Sequence, residues 1–211
     1  MFIAKSWVIS LLGRFYQVAQ NCALKQQEEG FRKGFKSIGM GVEMAKINCS
    51  TCSRIGIGNY VYIGPGTNLV GRGGIEVEDH VIIGPEVVVM SSIHNWKGAA
   101  LAPYDNVELL KPVLIGRASW VGYRALIMPG VKLGPGTIIG AGAVVTKDCP
   151  PGAVLAGNPA RQISQRDMAQ FEQCCLGDLF YLKRKQASGV CFGHKRERSG
   201  VEAERERCLS T

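Results

Sequence analysis

The sequence contains no run of about 18 uncharged apolar residues, the least that a helix crossing a bilayer needs. The opening stretch, MFIAKSWVISLLGRFYQ, is broken by Lys5 and Arg14 and has no small-residue cleavage site, so it does not read as a secretory signal. The eight cysteines are therefore expected as reduced thiols in the cytoplasm. Aromatic residues are scarce, at 8%, and there are three histidines. A nucleic-acid face usually interleaves basic and aromatic side chains. Here the densest basic runs, LKRK and HKRER, sit in a charged C-terminal region, and no nucleic-acid partner is expected. The net charge of +8 is uneven: residues 51–112 are mildly acidic, and the positive charge lies on either side of them.

Glycine is the residue in excess, at 27, and most of it falls between residues 56 and 157, interleaved with Val and Ile. Ile115, Val121, Ile127, Leu133, Ile139 and Val145 follow one another at intervals of six. A small or β-branched residue stands four places after the first five: Ser119, Ala125, Val131, Thr137 and Ala143. The same spacing governs Ile57, Ile63 and Leu69, then slips by two and resumes at Val77 and Ile83. A helical stripe repeats near 3.6 residues and a long strand at two. Six fits a very short strand and a corner, three of which close a triangular coil of about 18 residues. The aliphatic points inward, the small residue lines the corner, and glycine tolerates the positive φ that a corner demands.

The stretch KPVLIGRASWVGYRALIMPGVKLGPGTIIGAGAVVTKDCPPGAVLAGNPARQI resembles the hexapeptide-repeat acyltransferases, with GAGAVVTKDCPP and AGNPARQI closest to the family's closing motif. Within the family it is most similar to the galactoside and xenobiotic acetyltransferases and the O-acetyltransferases of bacterial surface polysaccharides. The resemblance covers about residues 50–163 and implies an all-β fold, a left-handed parallel β-helix. It also implies a homotrimer with active sites between subunits, acetyl-CoA as cosubstrate, a sugar or polysaccharide acceptor, and no metal. The expected division is an N-terminal amphipathic helical segment at 1–45, the β-helix at 46–163, and a C-terminal helix with a charged tail at 164–211. Residues 2–28 put Trp7, Leu11, Phe15, Val18 and Cys22 near one helical face. That face suits packing on the trimer or peripheral contact with the inner face of the membrane.

The repeat breaks off at residues 91–112, an extended loop that begins beside His94. Moving an acetyl group from a thioester to a hydroxyl requires a base for the hydroxyl proton, and neutral imidazole suits that task near pH 7. Position and resemblance together select His94, with Asp105 and Glu108 as candidate carboxylates to orient it. His80, inside a repeat, is expected to face solvent, and His194 lies in the tail. For the donor, the resemblance implies Trp120, Gly122, Tyr123, Ala141, Thr146, Lys147 and Arg161. A backbone N–H near Gly122–Tyr123 would hold the oxyanion, and Lys147 and Arg161 would face phosphates. Two positions depart from the galactoside branch. Tyr123 stands where a small polar residue is common, and Ser164 where a second basic residue is common, with Arg166 its candidate substitute. CSTC at 49–52 and CFGH at 191–194 have the spacing of zinc ligands but no support in the family pattern. The competing functions are amino-sugar or nucleotide-sugar N-acetylation and a non-catalytic β-helix scaffold. Serine O-acetyltransferases carry a much larger helical N-terminal domain, and carbonic-anhydrase-like relatives need more zinc-binding histidines.

Overall fold

In the computed structural model, residues 30–188 are described. The expected helix at 2–28 and the tail from 189 onward, with Cys191 and His194, lie outside the described residues.

The chain winds around three flat faces of short parallel strands. The first face stacks Ser37–Ile38, Ile55–Ile57, Ile75–Val77, Val113–Ile115 and Lys132–Leu133. The second stacks Glu43–Met44, Tyr62–Ile63, Ile82–Ile83, Trp120–Val121, Ile138–Ile139 and Ala153–Ala156. The third stacks Asn48–Ser50, Asn68–Val70, Val88–Met90, Leu126–Ile127 and Val144–Val145. Register follows the six-residue period. Ile115 pairs with Leu133, Val121 with Ile139, and Ile127 with Val145, each one lap apart. Earlier laps are longer, since Ile57 pairs with Val77 and Leu69 with Val89. The two-residue slip seen in the sequence is absorbed between Leu69 and Ile75, where Gly74 N–H bonds Gly71 C=O at 2.9 Å.

The inward row is the core. Ile57, Ile63, Leu69, Val77, Ile83, Ile115, Val121, Ile127, Leu133, Ile139 and Val145 are all at most 3% exposed. Each such side chain contributes about 1.5–3 kcal/mol by leaving water. The corner row is buried too, and its hydroxyls are satisfied: Thr137 Oγ1 donates to Gly134 C=O at 2.7 Å and Ser119 Oγ to the same oxygen at 3.2 Å. One expectation needs correction. The glycines directly after the inward aliphatics are not the positive-φ corners. A Cβ added at Gly122 would lie 2.7 Å from Ile139 O and 2.8 Å from Ala141 N. Glycine is required there because the next coil's backbone passes so close. Positive φ falls two residues later, where Ala118 (φ 54°) and Arg124 (φ 56°) adopt it without being glycine.

Coiling begins at Ser37–Ile38, ahead of the boundary expected at 46, because that strand pairs in register with Gly56–Ile57. The C-terminal region is also more divided than one helix. Arg161–Gln165 folds back antiparallel on Ala153–Ala156. Then come α1 (Met168–Leu176), capped by the Asp167 carboxylate accepting from Gln170 N–H at 3.0 Å, and α2 (Tyr181–Ser188). α2 reaches the first coil, where Lys185 meets Glu43 at 3.1 Å and Gln186 donates to Gly41 C=O at 2.9 Å. Cys49 and Cys52 are joined in a disulfide, so they are not the reduced thiols expected of them.

His80 does not face solvent freely. Its ring is sandwiched between Phe180, at 3.6 Å and nearly parallel, and Tyr60, at 5.6 Å. Burial lowers its pKa, with Lys183 and Arg117 adding to the effect and Asp79 and Asp178 opposing it. A depressed histidine favours the neutral ring in the fold. Its contribution is complete above about pH 6.5, the value for a free imidazole, and declines as pH falls toward the lower folded value. Amide exchange at 168–188 should therefore lose protection between pH 7.5 and pH 5.5. His80→Phe should keep it, and equal loss in both proteins would contradict this role for His80.

Candidate active site

The insertion leaves the coil between the third and first faces and is a hairpin rather than an irregular loop. Ser92–His94 pairs antiparallel with Glu108–Leu110, with His94 opposite Glu108. His94 is exposed, and its ring stacks on Tyr104 with centroids 4.1 Å apart and planes at 12°. Neither carboxylate expected to orient the ring is placed to do so. Asp105 accepts from Asn95 Nδ2 at 2.8 Å and from Val107 N–H at 3.0 Å. These bonds, led by the one from Val107, hold its carboxyl below its ordinary pKa. Glu108 accepts from Ser92 Oγ at 2.6 Å and pairs with Arg72 at 2.9 Å.

The residues expected to hold the donor fall into separate places. Thr146, Lys147 and Arg161 line one shallow groove of about 250 Å³. Asp148 beside them is engaged, since its carboxylate accepts from Lys132 N–H at 2.8 Å. The groove thus carries two cationic side chains, Lys147 and Arg161, beside one carboxylate, Asp148. Trp120, 53% exposed on the second face, lines a different cleft of about 420 Å³ under α1 and α2. That cleft also contains Arg166, whose Nε donates to Gly136 C=O at 3.0 Å and whose guanidinium lies over Phe171. Gly122, Tyr123 and Ala141 stand at the edge between the second and third faces. Gly122 N–H is spent on Ile139 C=O at 2.8 Å, so of the two candidates for an oxyanion it is the Tyr123 N–H that is free of the ladder.

Tyr123 is fixed by a partner that sequence reasoning missed. Its hydroxyl donates to Glu86 Oε1 at 3.1 Å, while Arg124 Nε donates to Glu86 Oε2 at 2.6 Å and lies over the Tyr123 ring. Burial, then the bond to Glu86, raises the Tyr123 pKa, and the bond from Arg124 leads in lowering that of Glu86. The signal was present in the period: Glu86 and Arg124 occupy equivalent corners, both with φ 56°, on adjacent coils. Among the described residues, no three His, Cys, Asp or Glu side chains gather to hold a metal.

The family pattern described as "Bacterial transferase hexapeptide (six repeats)" matches residues 112–147. The maltose O-acetyltransferase of Clostridium difficile is 32% identical in structural alignment, covering 68% of this chain and 76% of that one with a TM-score of 0.62. A galactoside acetyltransferase in complex with coenzyme A is 30% identical, covering 70% and 74%, with a TM-score of 0.62. The 2,3,4,5-tetrahydropyridine-2,6-dicarboxylate N-acetyltransferase of Staphylococcus aureus is 42% identical over 79 residues, 37% of this chain and 33% of that protein. Stacked coils with a hairpin at one edge, together with these likenesses, define the class: the chain belongs to the hexapeptide-repeat acetyltransferases. It spans 33–57% of the length of the curated relatives it matches.

Gly122 offers a direct check on how the site is built. Gly122→Ala places a methyl against backbone that cannot move independently, and should cost about 1–3 kcal/mol in urea unfolding. Wild-type stability would show that the coils can separate locally.

Proposed function

We propose that this protein is an acetyl-CoA-dependent O-acetyltransferase that moves acetyl to a hydroxyl of a sugar or surface-polysaccharide intermediate, with His94 as general base. The observation that carries this reading is the hairpin. It is the one long interruption of the described coils, and it presents an imidazole whose nitrogens no neighbouring carboxylate occupies. The likeness to a maltose O-acetyltransferase and to a galactoside acetyltransferase with bound coenzyme A supports both the donor and the acceptor class.

In this reading the donor's phosphates lie by Lys147 and Arg161, and its thin arm meets Thr146, Ala141 and Trp120, which stand on different sides of the stacked coils and come together only across neighbouring protomers. The acceptor hydroxyl gives its proton to His94 as its oxygen attacks the thioester carbonyl. The Tyr123 N–H then faces the developing oxyanion, and the departing thiolate recovers the proton from His94. The hairpin springs from the edge between the third and first faces, whereas Trp120, Gly122, Tyr123 and Ala141 lie on or beyond the second face. A second protomer that brings one chain's hairpin to another chain's donor edge completes the site, which is the reason to propose a homotrimer. Cytoplasmic location, at the membrane's inner face if residues 2–28 bind lipid, remains part of the same proposal.

N-acetylation of an amino sugar is the second reading, favoured by the match to an N-acetyltransferase, because the donor half would be built alike. A panel of sugars, amino sugars and nucleotide-sugars, assayed with acetyl-CoA by free-thiol release, separates the two, and a scaffold would release none. His94→Ala should lower kcat by about 10²–10⁴ with the fold intact. Lys147→Ala and Arg161→Ala should each raise the KM for acetyl-CoA about threefold, as exposed ion pairs do. Undiminished turnover in the His94 variant would remove the base assignment.

A further inference from the structure

A histidine base needs its ring held, and the usual holder is a carboxylate or carbonyl on the second nitrogen. Here Asp105 and Glu108 are both committed elsewhere, to Asn95 and Val107 and to Ser92 and Arg72. What covers His94 is a face. The Tyr104 ring lies 4.1 Å from it, at 12°. We propose that Tyr104 is the positioning residue for His94, holding the base by its π face and stabilising the cation it becomes. The inference rests on the reading of His94 as the base.

The hairpin is built to keep the two rings together. Asn95 follows His94 and Asp105 follows Tyr104, and these followers are tied twice. Asn95 Nδ2 donates to the Asp105 carboxylate at 2.8 Å, and Asp105 N–H donates to Asn95 C=O at 3.3 Å. The same carboxylate accepts from Val107 N–H, and Asn95 N–H donates to Val107 C=O at 2.9 Å. Asp105 therefore serves the base indirectly, by locking the backbone that sets one ring on the other.

Stacking differs chemically from a carboxylate contact. It leaves both imidazole nitrogens open. As the acceptor oxygen bonds to the thioester carbon, its proton moves to one nitrogen and the ring becomes a cation. When the C–S bond breaks, that proton goes to the thiolate and the ring is neutral again. A cation over an aromatic face is attracted by the ring quadrupole, modestly at exposed sites and more strongly once desolvated. The attraction is greatest after proton transfer has begun, so it raises kcat and leaves donor binding alone.

The test follows the His94 Cε1–H resonance by NMR in the full-length protein, with His94→Gln to assign it. Tyr104→Phe keeps the π face, and Tyr104→Leu keeps apolar bulk without it. Thermal melts confirm that each variant is folded. The wild type and Y104F should share a ring-current displacement that Y104L loses. In acetyl transfer to maltose and to a β-galactoside as probe acceptors, Y104L should lose about fivefold in kcat. Its KM for acetyl-CoA should stay unchanged, and Y104F should recover the rate. A Y104L resonance matching the wild type overturns the proposal without any acceptor being needed, and so does an unchanged kcat. Full turnover in His94→Gln removes the base assignment instead and leaves the NMR result to stand by itself.

Discussion

Everything in this molecule depends on one coil lying on the next at the spacing of parallel strands, about 4.8 Å. Backbone hydrogen bonds between laps fix that distance, and it leaves no room for a side chain where the backbone turns in. Gly122 under Ala141 is the clearest instance. The same stacking forces identical positions into rows, so the inward row must be aliphatic all the way down and the corner row small. No coil could bury its apolar side chains alone, and stability accrues lap by lap.

A frame so regular has little of its own with which to do chemistry. Its faces are strands of two to four residues, and its ladder N–H groups are spent between coils. Reactive groups must come from rows that project outward, such as Trp120, or from chain that leaves the frame. The hairpin leaves at an edge, where hydrogen bonds to Asp105 and Glu108 tie its parts together. Its aromatic and apolar side chains, Trp96, Leu101, Tyr104 and Leu110, remain exposed in the single chain. Thr146 and Lys147 stand, like the hairpin, between the third and first faces, whereas Gly122, Tyr123 and Ala141 stand between the second and third, which is why the proposed chemistry calls for neighbouring protomers.

The fold was legible because its cause is periodic. Each of the eleven inward aliphatics found at six-residue spacing is buried, and the slip at Leu69–Val77 corresponds to a longer turn. The start of coiling was less legible, since Ser37–Ile38 and Glu43–Met44 carry one lap with weak spacing and were counted with the helical segment. Positive φ does account for glycines such as Gly66, Gly136 and Gly142, but not for those directly after the inward aliphatics, because sequence shows that a side chain is missing and not what would have struck it. The solvent-facing expectation for His80 fails because its partner, Phe180, lies a hundred residues away, just ahead of a helix that folds back. Contacts of that kind have no local signature, and neither does Tyr104 with His94, whereas the Glu86 cluster was within reach of the period. The choice of His94 rests on the break in the repeat together with the resemblance to the family, while what surrounds it needed the hairpin's register.

The most direct measurement is a crystal structure of the assembled protein with coenzyme A. The account predicts the pantetheine arm lying between protomers along Ala141, Thr146 and Lys147, with its thiol within about 3–4 Å of a His94 nitrogen, directly or through one water. Coenzyme A bound elsewhere, or a thiol that no His94 ring in the assembly can reach, would contradict it.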